Sequence, residues 1–227
     1  MFLAILCLDE EMDAHRIYGF FFNRFRPARI RRFFSAMQIR PDSSVLDVGG
    51  GTYFWELARE LGLPPLRVSI LNVTGSHESL SNNVSWVIGD GRRLPFGDGT
   101  FDVVFCNSVI EHVGERQDQQ LLADEIRRVG RGYFVQTPDR SFPVEPHLLT
   151  PFVHWLPSKL RCRVVPTLTL RGMIGKLTEA EKQELRAIRL LNCLDMQGLF
   201  PDATINREYF CGLPKSILAV RSARQDA

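Results

Sequence analysis

Asp47 stands two residues ahead of Gly49, Gly50 and Gly51, at the end of the apolar stretch VLDV. Glycine has no Cβ, so the backbone of such a loop can approach a ligand closely. A helix starting behind the loop adds unpaired N–H groups. This is the chemistry of a nucleotide site. A dinucleotide fingerprint would read G-x-G-x-x-G, and its last position here is Phe54. A carboxylate at this point repels a pyrophosphate and suits a cation. Asp47 therefore directs the loop toward a cationic, phosphate-free cofactor; its alternative role is to cap the loop by accepting from backbone N–H groups.

Two downstream stretches carry further chemistry. In IGDGRRLPF, Asp90 follows an apolar run and precedes Gly91 and Arg92. An acid there can accept from an adenine amino group; alone, the stretch is an ordinary strand-to-turn sequence. In FDVVFCNSVIEHV, the chain passes through Asn107 and Ser108 to Glu111 and His112. Imidazole titrates near neutrality, which makes His112 the candidate base and Glu111 its candidate orienter. The other role open to His112 is to pack against or cap the following helix. His147, His154 and Trp155, in EPHLLTPFVHWLP, are expected as alternative bases or walls of an acceptor pocket, or as a packed surface insertion.

These groups need a scaffold that gathers strand ends. Apolar runs at 44–48, 66–71, 84–88, 101–106 and 132–138 read as strands, and the segments at 53–61 and 115–129 as helices. In the second helix Leu121, Leu122, Ile126 and Val129 fall at helical spacing. Alternation of this kind predicts an α/β, Rossmann-like, doubly wound, mostly parallel sheet. Ligands bind such a sheet at the carboxyl ends of its strands, where the winding reverses. Residues 14–37 read as two helical pieces parted at Pro27, forming an N-terminal helical extension over 1–43. The main domain is expected over 44–221, with a proline-rich lid insertion at about 138–175 and a tail at 222–227. A further helix with a Thr178 capping box is expected near 178–188. Two closing strands should follow around Gly212-Leu213-Pro214.

Taken together, VLDVGGG, GDGRRLPFGDGTFDVVFCNSVIEHV and GLPKSILAVR resemble the class I S-adenosylmethionine-dependent methyltransferases of the small-molecule type. The resemblance implies S-adenosyl-L-methionine as cofactor, a sulfonium and ammonium compound without phosphate. It implies cofactor contacts at Asp47, Gly49, Gly50, Gly51, Tyr53, Asn72, Asp90, Gly91, Arg92 and Asn107. It departs from the family pattern twice. Tyr53 stands where the loop's third glycine is usual, so the loop is shaped differently or partly filled by a ring. Asn72 replaces the acid that normally holds the ribose hydroxyls, and a neutral amide holds them less strongly. No metal is expected: related O-methyltransferases associate one with E-x-x-E-H, and Ser108 occupies the first glutamate position.

The bulk properties suit one soluble domain. The 227 residues are 44% hydrophobic and 24% charged, with a formal net charge of +2, which gives no support to a nucleic-acid binder. Five cysteines without a C-x-x-C pair point to a reducing, cytoplasmic setting. MFLAILCL is too short and lacks the basic start of a secretion signal; Met12 is an alternative first residue. The stretch from Arg24 to Arg32 holds five arginines. It reads as an amphipathic helix with a solvated basic face, or as a contact for an anionic acceptor, an anionic membrane surface or RNA. The expected activity is methyl transfer to a small-molecule or glycan/lipid-linked acceptor, at oxygen. The alternatives are a non-catalytic module of the same fold and, on weaker grounds, an NAD-dependent reductase.

Overall fold

The computed structural model describes residues 26–76, 80–145, 150–152 and 187–222. His147, His154, Trp155, most of the expected lid and the Thr178 helix lie outside these residues. Within them, strands β1 (Ser44–Val48), β2 (Arg67–Asn72), β3 (Val84–Ile88), β4 (Phe101–Asn107) and β5 (Gly130–Pro138) are followed by β8 (Thr204–Phe210) and β9 (Leu213–Arg221) in one sheet. Its order is β3-β2-β1-β4-β5-β9-β8. A two-stranded pair, β6 (Val144–Glu145) and β7 (Thr150–Pro151), stands apart. The helices are α1 (26–36), α2 (Thr52–Glu60), α3 (Arg116–Val129) and α4 (Cys193–Leu199).

Strands β1 to β5 pair in parallel, and β9 enters antiparallel between β5 and β8. An all-parallel dinucleotide sheet has no such strand. The winding reverses between β1 and β4, so a crevice opens at their carboxyl ends, between the glycine loop and Asn107. The central parallel strands β1, β4 and β5 are buried on both faces, as their near-continuous apolar sequence requires, whereas β3 at the sheet edge has no fully buried residue.

Each face has its own core. On one, Leu122, Ile126 and Val129 of α3 pack with Tyr133, Met196 and Phe200. Leu121, expected in this stripe, is 51% exposed: the buried residues 122, 126 and 129 already fill the inward arc. On the other face α1 inserts Ile30, Phe33 and Phe34, with Met37 packed just behind its end. The Phe33 ring lies 4.7 Å from that of Phe105 and 5.5 Å from that of Phe134. Burying each such side chain contributes roughly 2–3 kcal/mol, so α1 belongs to the folded core. Pro27 lies in the first described turn of α1, and the helical piece expected ahead of it lies outside the described residues.

The closing hairpin turns at Cys211 and Gly212, with φ of 48° and 78°. Leu213 and Pro214 lie inside β9 instead of in the turn. A two-residue turn with φ positive at both positions matches the strands' twist, and Pro214 sits beside the bulge at Glu208/Tyr209, where ladder pairing is irregular. Among the described residues no helix is long and apolar enough to cross a membrane.

Candidate active site

The glycine loop is held from three sides. The Gly49 N–H donates to the Leu71 carbonyl at 2.7 Å, and Asn72 Nδ2 donates to the Gly50 carbonyl at 3.0 Å. Gly49 adopts φ 75°, and a Cβ on it would strike the Val109 side chain. A Cβ on Gly50 would overlap the Asp47 carboxylate, which lies directly beneath the loop. Gly51 is the N-cap of α2, and no side chain caps that helix.

Asp47 itself is 1% exposed. Trp55 Nε1 donates to its Oδ2 at 2.8 Å, while Oδ1 is closed from solvent and has no hydrogen-bond partner among the described residues. Burial pushes its pKa up to about 7, against the lowering effect of the Trp55 N–H. A buried carboxyl with one idle oxygen beside an uncapped helix start is an arrangement that a cationic group would complete.

Tyr53 does not plug the loop. Its ring is 47% exposed and lies 4.8 Å beneath the Arg26 guanidinium of α1, a cation–π pair. Phe54 packs on Phe105, ring centroids 4.4 Å apart, filling the contact for which a dinucleotide loop uses glycine.

On the β3 side, Asp90 is engaged by the residue two positions on. The Arg92 N–H donates to Oδ1 at 2.9 Å, and its guanidinium grips both oxygens at 2.6 to 3.1 Å. Arg92 also donates to Asp118 at 2.6 Å, tying this turn to the capping box of α3. The Arg92 hydrogen bond holds the Asp90 carboxyl below its usual range. Gly91 leaves room for Leu122 and Val48.

At the end of β4, Asn107 Oδ1 accepts from Arg29 NH1 at 3.1 Å. Arg29 had no assigned place in the sequence. The same nitrogen donates to Gln136 Oε1 at 3.1 Å, and NH2 donates to Glu208 at 2.7 Å. Ser108, at φ 55°, donates from Oγ to Gln136 at 2.9 Å. Glu111 is fully buried in a short 3-10 turn, Ile110–His112, and accepts from Thr137 Oγ1 at 2.9 Å. His112 Nε2 lies 3.8 Å from Glu111 Oε1. Glu111, fixed by Thr137, and His112 are thus neighbours. Trp55 was detectable in the sequence, since a core-facing indole N–H needs an acceptor. Arg29 was hidden among four other arginines.

Residues 46–135 match the family described as a methyltransferase domain. Over 96 residues the chain is 34% identical to norajmaline N-methyltransferase of Rauvolfia serpentina, covering 38% of this chain and 32% of that protein. It is 33% identical to a probable chloroplastic tocopherol O-methyltransferase of Oryza sativa subsp. japonica, covering 38% and 25%. The matched stretch thus spans about a third or less of either relative's length. The magnesium protoporphyrin IX methyltransferase of Synechocystis PCC 6803, solved with bound SAH, aligns over 97% of this chain and 93% of that one with a TM-score of 0.56 and 12% identity. The strand order and the matched domain make this the class I S-adenosylmethionine-dependent methyltransferase fold.

Proposed function

We propose that the chain binds S-adenosyl-L-methionine and transfers its methyl group to a small-molecule or glycan/lipid-linked acceptor, at oxygen. The observation that carries this reading is Asp47: a buried carboxyl whose Oδ1 lacks a hydrogen-bond partner among the described residues, under a glycine loop at the sheet's switch point. Asp47 would hold the cofactor's ammonium, and the loop N–H groups with the start of α2 would hold its carboxylate. Asn72, with Nδ2 on the Gly50 carbonyl, keeps Oδ1 to accept from a ribose hydroxyl. Asp90 and the neighbouring backbone would receive the adenine, and Asn107 would border the methionine portion.

When bound, the cofactor supplies an activated methyl on a sulfonium. The protein's part is alignment, exclusion of water and management of one proton. His112 takes that proton from the acceptor hydroxyl as the new carbon–oxygen bond forms. Glu111, fixed by Thr137, favours the resulting imidazolium across 3.8 Å. The two relatives, one named as an N-methyltransferase and one as a probable O-methyltransferase, support methyl transfer to small molecules as the class of reaction.

Calorimetric titration with S-adenosyl-L-methionine and SAH tests the reading. Binding by the intact protein is expected, weakened at least about tenfold by Asp47→Ala, which removes a charge-assisted contact of about 1.5–3 kcal/mol. No binding at millimolar ligand would leave a non-catalytic module of the same fold.

A further inference from the structure

We infer that Gln136, with Asn107 beside it, presents a pair of amide N–H donors to the methyl acceptor, and that the pair selects a nucleophilic oxygen, held as its oxyanion, over a nitrogen. This role rests on the methyltransferase reading and narrows it to one class of acceptor, a hydroxyl compound that can ionise.

Strand register builds the pair. Asn107, the last residue of β4, is the partner of Gln136 on β5, so the two side chains leave the same face of the sheet about 4.8 Å apart. It is α1's face, because Phe105 and Phe134, two residues earlier on each strand, pack against Phe33. Arg29 of α1 meets both amides there. Its NH1 donates to Asn107 Oδ1 and to Gln136 Oε1, each at 3.1 Å. Ser108 Oγ adds a second bond to Gln136 Oε1 at 2.9 Å. A guanidinium has donors only, so it dictates which end of each amide faces it. Both oxygens are taken, and both N–H2 groups are turned away from Arg29.

Those N–H2 groups are unused. Neither Asn107 Nδ2 nor Gln136 Nε2 has a hydrogen-bond partner among the described residues. Gln136 is 1% exposed, a setting in which an amide is ordinarily satisfied at both ends. Unlike Arg29 Nε and Asp47 Oδ1, its Nε2 is not sealed from solvent. The opening lies at the carboxyl ends of β4 and β5, since further back both strands are packed under Phe33. Arg29 itself is spent, as its NH2 donates to Glu208 at 2.7 Å and to Ser216 at 3.4 Å. It acts as a positioning residue, and contact with a ligand falls to the amides.

The cofactor's cationic end belongs with Asp47 on β1, and Asn107 on β4 borders its methionine portion. Strand β5 follows β4 in the order β1-β4-β5, so Gln136 stands one strand further from Asp47, the place for the molecule that receives the methyl. An oxyanion has lone pairs enough to accept from both amides and still attack. The hydroxyl proton goes to His112, and a lone pair on oxygen forms the carbon–oxygen bond. The sulfur–carbon bond breaks with its electrons left on sulfur, as a neutral thioether. Hydrogen bonds made to the charged form favour it. A neutral amine has a single lone pair, which the attack consumes, and its own N–H bonds would meet two further donors with no acceptor between them.

The test uses the full chain loaded with SAH and two probes of one shape, 4-nitrophenol and 4-nitroaniline, with Gln136→Glu as the variant. The exchange keeps an oxygen for Arg29 and Ser108 and turns only the donor end into an acceptor. At a pH where free 4-nitrophenol is mostly neutral, the unaltered protein is expected to bind it with the absorption spectrum of the phenolate. It should bind 4-nitroaniline at least about tenfold more weakly. Gln136→Glu should lose about tenfold in 4-nitrophenol affinity together with the phenolate spectrum, while SAH affinity stays within about twofold. Gln136→Met, which removes the donor without adding charge, should repeat that loss. Unchanged probe binding in both variants makes Gln136 merely structural and overturns the inference. So does a bound probe with the neutral spectrum, equal binding of the two probes, or no binding of 4-nitrophenol at millimolar concentration. Loss of SAH binding in a variant that keeps its unfolding midpoint gives the donors to the cofactor's carboxylate and overturns the acceptor role. Failure of the unaltered protein to bind SAH, measured before any probe is added, defeats the methyltransferase reading instead.

Discussion

A carboxyl sealed from solvent with one idle oxygen makes Asp47 a burden to the ligand-free fold and an asset to a cation. Its folded pKa, raised to about 7 by burial, lies above the usual carboxylate value. The native state therefore keeps a proton that the unfolded chain has lost between about pH 4 and 7. Stability falls as pH rises through that window and levels off above it, by at most about 4 kcal/mol for a shift of this size. Asp47→Asn removes the titration. The variant is expected to unfold at higher temperature than the unaltered protein at pH 8 and at nearly the same temperature at pH 4, while losing SAH binding; parallel pH profiles for the two proteins would mean that another group titrates. Cofactor affinity should also fall below pH 7 with release of a proton on binding, because the cation selects the ionised form. At this scale the sequence was informative wherever chemistry is local. Asp47 and its glycines lie within five residues and need no distant partner to be recognised. Asn72 and Asp90 were picked by position; the Asn72 bond to Gly50 depends on how two loops meet, whereas the Asp90 bond to Arg92 is local to one turn.

Elements explain why that loop must be glycine, and for two different reasons. Gly50 is excluded from bearing a side chain by space alone, since a Cβ would overlap the buried Asp47 carboxylate. Gly62, at the end of α2, has φ 73° and open space around it, so only its backbone conformation disfavours a side chain. Gly62→Ala is expected to cost about 1 kcal/mol and to leave SAH binding intact. Gly50→Ala should cost roughly 3 kcal/mol, as overpacking does, and should impair binding, because the carboxylate must move. Urea unfolding and SAH calorimetry on both variants check the contrast; equal costs would show that the loop yields freely. Strands β1 to β5 and helices α2 and α3 were legible because apolar runs and helical spacing report burial directly. The hairpin turn was expected one to two residues too late because Gly-Leu-Pro is the stronger local signal. The twist of β8 and β9 instead selected Cys211 and Gly212.

At the scale of the whole molecule, α1 acts as a strap across the sheet, and Arg29 is its fastening. One guanidinium bonds residues 78, 107, 179 and 187 positions away in the chain, on β4, β5, β8 and β9. No local pattern could announce this: five arginines in nine residues look alike until the fold turns one inward. The same arrangement sets the consequence of removing it. Glu208, with its side chain 17% exposed, would be left buried without its nearest cation. Breaking one partner of such a pair typically costs about 3–5 kcal/mol, more than the pair is worth against an apolar replacement. Arg29→Met is therefore expected to destabilise the protein by about 3 kcal/mol in urea unfolding at pH 7, with the loss shrinking as pH falls below the usual glutamate range and Glu208 takes up a proton. The sign follows from the depressed folded pKa: the stabilisation that Glu208 contributes is present above its unfolded value and lost through its folded one. Adding Glu208→Gln to Arg29→Met should recover about 1–2 kcal/mol, a coupling that a double-mutant cycle isolates. Additive losses would mean that Arg29 fastens α1 through Asn107, Gln136 and Ser216 and not through Glu208.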